Sequence, residues 1–397
     1  MEIPVWYPFP WHPPLEVPEA VRNLRRRAVV EVMLPTGDPA LLVTRYKDVL
    51  SLFADPRLSR NIARPDAARI TRDNDRFSDP NIDPDPPAHT RVRGLVTRAL
   101  TGSRVEALRP VARGVVDALL DAMAAQPRPV DLNRALAFPL PLRVMCELLG
   151  VPAGERARCR ELVDGFLSVT RLPPPEVRRA RLGLRRYLDE LIQSKRDTPG
   201  DDLVSALIRV TDGEGDRLTE HELGYWTEGL LIAGYVTTAS QLGTGTAVLL
   251  HRRDLVEEIR GDWALIPTAV EELLRMQIMS SSIGTMRYAT TDIELSDGTV
   301  IKKGSSVVLA AESANVDEDV FENPFTLDIR RRENHHLSFG AGPHLCVGAD
   351  LARMQLQVAT EALLRRFPDI RLARPGEELT RGADGFCEGF SEIPVTW

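Results

Sequence analysis

Cys346 stands in the stretch Phe339-Gly340-Ala341-Gly342-Pro343-His344-Leu345-Cys346-Val347-Gly348, with three glycines and a proline around it. Glycine lets a backbone turn through positive φ and lie close to a bulky flat group. The spacing of the residues that follow predicts a helix from about Val347 to Phe367, so the cysteine falls where that helix begins. N–H groups at a helix start favour a thiolate. A thiolate held by a glycine-rich loop suits a metal, and a single cysteine suits one axial ligand better than a zinc cage. The other reading of a lone cysteine is a packing residue in a tight turn. Glycines on both sides of Cys346 favour the ligand. Cys146, Cys159 and Cys387 have no such setting and read as buried packing residues. No two of the four cysteines are spaced CxxC, and the adjacent His335 and His336 are poorly placed for one tetrahedral zinc. A disulfide framework and a zinc enzyme are therefore excluded.

A second set of residues lies on the longest helical pattern, 219–251. Thr219 with Glu222 forms a plausible capping box. Its length of roughly 50 Å would cross a whole domain. Its centre, LLIAGYVTTASQLG, holds Gly234, Thr237 and Thr238, which weaken a helix and ask for a reason there. Other helical patterns run in about three segments from Ala88 to Leu149, then over 154–170, 176–195, 200–211 and from Pro267 to Arg275. Residues 40–58 read as strand, helix and turn. Period-two spacing in IELSDGTVIKKGSSVVLA predicts strands joined at Asp297–Gly298. The expected fold is mainly α with minor antiparallel β, one domain over 1–397, threaded by a long central helix.

The 397 residues carry 50 Lys+Arg against 57 Asp+Glu, a net charge of −7, which argues against nucleic acid as the main partner. Two basic clusters, Arg25–Arg27 and Arg330–Arg332, read as solvated faces. Hydrophobic residues at 43% and charged residues at 27% exclude wholesale disorder. The Pro- and Trp-rich start lacks the pattern of a signal peptide, and no stretch has the apolar length of a membrane anchor. A reducing, cytoplasmic location is expected.

FGAGPHLCVG resembles the haem-binding loop of the cytochrome P450 family, Phe-Gly-x-Gly-x-His/Arg-x-Cys-x-Gly, and fits it at every specified position. The resemblance covers nearly the whole chain and is closest to the soluble bacterial members. It implies the P450 fold with the 219–251 helix as helix I, haem b as cofactor and Cys346 as its iron ligand, with Phe339, Gly340 and Gly348 shaping the loop. Glu272 and Arg275 fit the family's Glu-x-x-Arg of helix K, a structural brace. His89, Arg93, Arg287 and His344 match the positions that hold the haem propionates. Helix I departs from the family. Ala233-Gly234-Tyr235-Val236-Thr237-Thr238 keeps Gly234 and Thr237, but Val236 replaces the acid that, with the threonine, relays protons for dioxygen cleavage.

Certain family members that lack this acid couple aromatic cyclodipeptides through radicals, and this chain resembles them at helix I and in VEELLRMQIMSSSIGTMRYAT. Coupling of an aromatic natural product, a diketopiperazine, is therefore one expected reaction. The alternative is ordinary hydroxylation or epoxidation with a water-borne relay. A haem sensor, or a peroxygenase needing a carboxylate over the iron, gains no support from these residues. Substrate contacts are expected from the loop 60–85, from 166–170, from Ile232 and Tyr235, from Ser282 and Ile283, and from Phe386. The chain has no flavin or nicotinamide motif. Electrons from NAD(P)H are expected through a separate reductase and ferredoxin, docked by arginines such as Arg91 or Arg353.

Overall fold

A computed structural model describes residues 5–69, 82, 84–168, 172–210, 215–276, 285–382 and 389–397. They form two compact units, each drawn from two chain segments: Met1–Arg91 with Glu271–Val347, and Val92–Val270 with Gly348–Trp397.

The first unit is built on a six-stranded sheet. It contains β1 (Val5–Trp6), α1 (Glu19–Leu24), β2 (Val29–Met33), β3 (Pro39–Val43), α2 (Tyr46–Phe53) and β4 (Leu58–Ser59). Further along the chain come β6 (Met286–Ala289), β7 (Ile293–Glu294), β8 (Val300–Ile301), β9 (Ser306–Leu309) and α13 (Ala311–Ala314). The sheet order is β1-β2-β3-β9-β6-β4. β2–β3, β6–β9 and β4–β6 pair antiparallel, whereas β1–β2 and β3–β9 pair parallel. β2 alternates buried and exposed side chains, Val30 and Val32 inward with Glu31 outward. β7 and β8 form the hairpin expected at Asp297–Gly298, where Gly298 turns at φ 85°. Val43, Val49, Leu52, Phe53, Val307, Leu309 and Leu337 make the core.

The second unit is helical. Its elements are α3 (Ala88–Ala99), α4 (Gly102–Ala107), α5 (Arg109–Ala124), β5 (Val130–Asp131), α6 (Pro139–Leu149), α7 (Arg156–Leu167), α8 (Pro174–Asp197) and α9 (Leu203–Arg209). They continue with α10 (Glu220–His251), α11 (Arg253–Gly261), α12 (Ile266–Met276), α14 (Ala349–Arg366), β10 (Arg371–Leu372) and β11 (Pro394–Thr396). The unit boundaries fall inside α3 and α12. β10, β11 and β5 form a small antiparallel sheet. The last helix is slightly shorter than its periodicity suggested. A strand and a π-helical turn at Asn133–Ala137 interrupt the helices of 88–149.

α10 is the 32-residue helix expected at 219–251. Both capping-box bonds form: Glu222 N–H donates to Thr219 Oγ1 (3.2 Å), and Thr219 N–H donates to Glu222 Oε2 (2.8 Å). From Thr238 to Leu250 every residue is buried, and α10 packs on α6, α8 and α14.

Arg26, Arg27, Arg330 and Arg332 are exposed, as the solvated reading expects, but one member of each cluster departs from it. Arg25 is turned inward to the Val316 carbonyl and Glu318. Arg331 bonds to Glu272. A sequence run shows charge but not which member of it turns inward to a partner. No helix among the described residues is long and apolar enough to cross a membrane.

Candidate active site

The cysteine loop is shaped by contact with the end of α2. Gly340 and Gly342 adopt φ of 70° and 67°, where a side chain is strained. A Cβ at Gly342 would stand 3.0 Å from Ala54 Cα and from the Phe53 carbonyl oxygen, both backbone atoms that cannot rotate away. A Cβ at Gly340 would face the Phe53 ring at 3.5 Å. The loop closes on itself through Cys346 N–H to the Phe339 carbonyl (2.9 Å) and Leu345 N–H to the Gly342 carbonyl (3.0 Å). Cys346 ends up exposed, whereas Cys146 and Cys159 are buried. Gly348 caps α14 with open space around it.

Beside this loop, within the first unit, lies a cluster of nitrogen-bearing side chains. The rings of His89 and His344 stack with centroids 4.0 Å apart. Arg60 Nη1 lies 3.3 Å from His344 Nδ1. Asp85 orders the cluster from below by accepting Arg60 N–H at 2.9 Å and the Ser59 hydroxyl. Its carbonyl accepts His89 N–H at 2.9 Å. Arg287, on β6, is 2% exposed. It donates to the Met286 carbonyl (2.8 Å) and lies over the Phe53 ring. Burial and the nearby Arg60 charge lower its guanidinium to about 9, against a smaller opposing pull from Asp85. A carboxylate brought beside Arg287 would remove that penalty. The cluster therefore fits an acidic ligand, and would suit the propionates of a haem held by Cys346. Arg60 was not singled out in the sequence, because no motif surrounds it. Arg93 lies one turn beyond His89 on α3, half-buried.

Glu272 and Arg275 brace the same unit. Both are fully buried and share two bonds of 2.7 and 2.8 Å. Glu272 also accepts from Asp328 N–H, Asn334 and Arg331. Arg275 donates to the carbonyls of Asn315, Pro324 and Thr326. The pair ties the chain ahead of the cysteine loop to α12.

On α10 the Thr237 hydroxyl donates to the Ala233 carbonyl (2.6 Å). Gly234 permits close approach of α6, since a Cβ there would meet Met145 Sδ at 2.5 Å. Ile232 and Val236 are half-buried. Tyr235 is 3% exposed, and its hydroxyl donates to Asp164 Oδ1 on α7 at 3.0 Å. Ser282, Ile283 and Phe386, with Cys387, lie outside the described residues, as do parts of the loop 60–85 and of 166–170.

A thiol on a glycine-shaped loop, with a buried guanidinium and two imidazoles beside it, is a set of residues that would suit a haem-thiolate protein. The family model for Cytochrome P450 matches residues 173–370. Nocardicin C N-oxygenase of Nocardia uniformis subsp. tsuyamanensis is 40% identical over 394 residues, covering 98% of each chain. Mycinamicin IV hydroxylase/epoxidase of Micromonospora griseorubida is 39% identical, over 93% of this chain and 92% of its own. Among solved structures, a putative thioether synthase, SgvP, involved in the tailoring step of griseoviridin, superposes with a TM-score of 0.90 at 39% identity, covering both chains fully. The chain belongs to the cytochrome P450 family. It is an oxidoreductase with the P450 fold, and its relatives are bacterial oxygenases of secondary metabolism.

Proposed function

We propose that this P450 inserts one oxygen atom from dioxygen into an aromatic, largely apolar natural product. Its cofactor is haem b, and electrons reach it from NAD(P)H through a separate reductase and ferredoxin. The observation that carries the reading is the full-length likeness to an N-oxygenase and a hydroxylase/epoxidase, joined to the cationic cluster beside the Cys346 loop. Cys346 would hold the iron, and Arg60, His89, Arg287 and His344 would hold the propionates, with Arg93 next along α3. Bound there, the haem supplies two-electron activation of dioxygen. The chain supplies position and protons. On the α10 turn Val236 cannot carry a proton, so the Thr237 hydroxyl is left to hold a water.

A second reading is favoured by that same valine. With no carboxylate on the turn, a substrate radical can meet a second ring, in a diketopiperazine for instance, and join it with net loss of two hydrogens. The neighbour named a putative thioether synthase is compatible with bond-forming chemistry on this fold. Turnover under labelled dioxygen separates the two. One labelled oxygen in the main product supports insertion. An unlabelled product two hydrogens lighter shows coupling instead. In that case Val236→Asp should raise the hydroxylated fraction.

A further inference from the structure

Asp164 sits on a helix that does not move alone. A Cβ on Gly165 of α7 would come within 2.7 Å of Ala180 Cβ on α8, and one on Gly183 of α8 within 2.8 Å of Leu162 Cδ2. The two helices are pressed together at two heights, so whatever fastens α7 fastens the pair. Tyr235 reaches out from α10 to do so. Its ring packs edge-on against Phe138 (6.2 Å), which fixes where the hydroxyl points, and the hydroxyl donates to Asp164 Oδ1. The other carboxylate oxygen of Asp164 faces Arg160 Nε, one turn back on α7, at 3.4 Å. The same turn of α10 is pressed against α6 through Gly234 and Met145. Tyr235 thus joins α7 to a stretch of α10 that is already immobilised.

We infer that Tyr235 and Asp164 are a positioning pair that sets how closely the C-terminal end of α7 lies to α10, and through it which size of aromatic ligand the enzyme retains. Asp164 lies two residues before Phe166, the start of the segment 166–170. The inference rests on the reading of that segment as substrate-facing. The interaction is a hydrogen bond from a neutral donor to a charged acceptor, shielded by the buried ring, so its loss should be felt locally rather than through the whole chain.

The test uses the haem-loaded enzyme and three variants. Tyr235→Phe removes the donor, Asp164→Ala removes the acceptor, and Asp164→Asn retains an acceptor oxygen. Hydrogen exchange of the α7 backbone amides, residues 160–167, should quicken about tenfold in Tyr235→Phe and in Asp164→Ala, a local loss of about 1.4 kcal/mol. In Asp164→Asn it should stay within about twofold of the parent, and the double variant Tyr235→Phe/Asp164→Ala should be no faster than either single change. The pair is refuted if Tyr235→Phe leaves exchange unchanged, if Asn behaves like Ala, or if the two changes add. Dissociation of two azoles that ligate haem iron then reads the consequence. 4-Phenylimidazole should leave about tenfold faster from Tyr235→Phe, and imidazole, which lacks the aromatic ring that size selection would read, at the parental rate. Quickened exchange with both azoles unchanged would uphold the pair and overturn the substrate-facing reading of 166–170. Equal acceleration of both azoles would overturn the role in size selection.

Discussion

Replacing Arg287 with glutamine should move two quantities in opposite directions. The fall of its guanidinium from its ordinary value to about 9, through burial first and the Arg60 charge second, corresponds to a penalty of the order of 5 kcal/mol in the protein without haem. Against it stand a bond to the Met286 carbonyl and the contact with the Phe53 ring, together about 1–2 kcal/mol. Glutamine is neutral and can still donate to Met286, so the haem-free variant should melt no lower than the parent. A charge-assisted bond to a propionate contributes about 1.5–3 kcal/mol, so haem affinity should fall roughly tenfold to a hundredfold. The pH dependence has a definite sign. Below about 9 the folded and unfolded chains both carry the charge, and the penalty is fully present. Between about 9 and the ordinary arginine value only the unfolded chain holds the proton, so this group raises the stability of the haem-free parent as pH climbs across that window. The variant should lack this contribution. Thermal melts of the haem-free forms and haem transfer to apomyoglobin measure both effects. A variant that melts far lower yet keeps haem as tightly would make Arg287 a structural residue and refute the reasoning.

Two further predictions concern the cysteine loop. Cys346→Ala should abolish the shifted Soret band of the reduced carbonyl complex, while Cys146→Ala and Cys159→Ala keep it, because those thiols are buried packing residues. Gly342→Ala combines a positive φ with contact on two backbone atoms and should cost about 2–5 kcal/mol, read as a lower melting temperature of the haem-free protein. Gly348→Ala, at φ −94° in open space, should change that temperature little. The reverse order would overturn the account of the loop.

The parts of this site that announce themselves in the sequence are those whose chemistry depends on local spacing. The cysteine loop is ten consecutive residues, and Glu272 with Arg275 sits one helical turn apart, so both are visible as strings. The cationic cluster is different. His89, Arg287 and His344 come from three distant stretches, and a family pattern is needed to join them. Arg60 belongs to no pattern, and its place follows only from how Asp85 holds its backbone beside His344. Arg331 was hidden for the opposite reason. A run of three arginines looks solvated, and only the buried carboxylate of Glu272 selects one of them.

α10 shows why the direction of a side chain can escape a sequence that reveals its helix plainly. An amphipathic helix declares its faces through the spacing of apolar residues. In α10 apolar and small residues surround the axis, because the helix is covered by α6, α8 and α14. Periodicity therefore carries no information about which way Tyr235 points. Its position beside Gly234 and Val236 suggested a ligand contact. Its hydroxyl lies on Asp164, an acid on α7 that no spacing rule connects to it. The substitution at Val236 and the bond at Tyr235 thus concern adjacent residues with different surroundings. Val236 bears on what the turn can do with a proton, and Tyr235 on what fastens α7 to the turn. An exchange at 236 should alter the product without altering hydrogen exchange of α7. An exchange at 235 should do the reverse with respect to α7 and change product only through ligand retention.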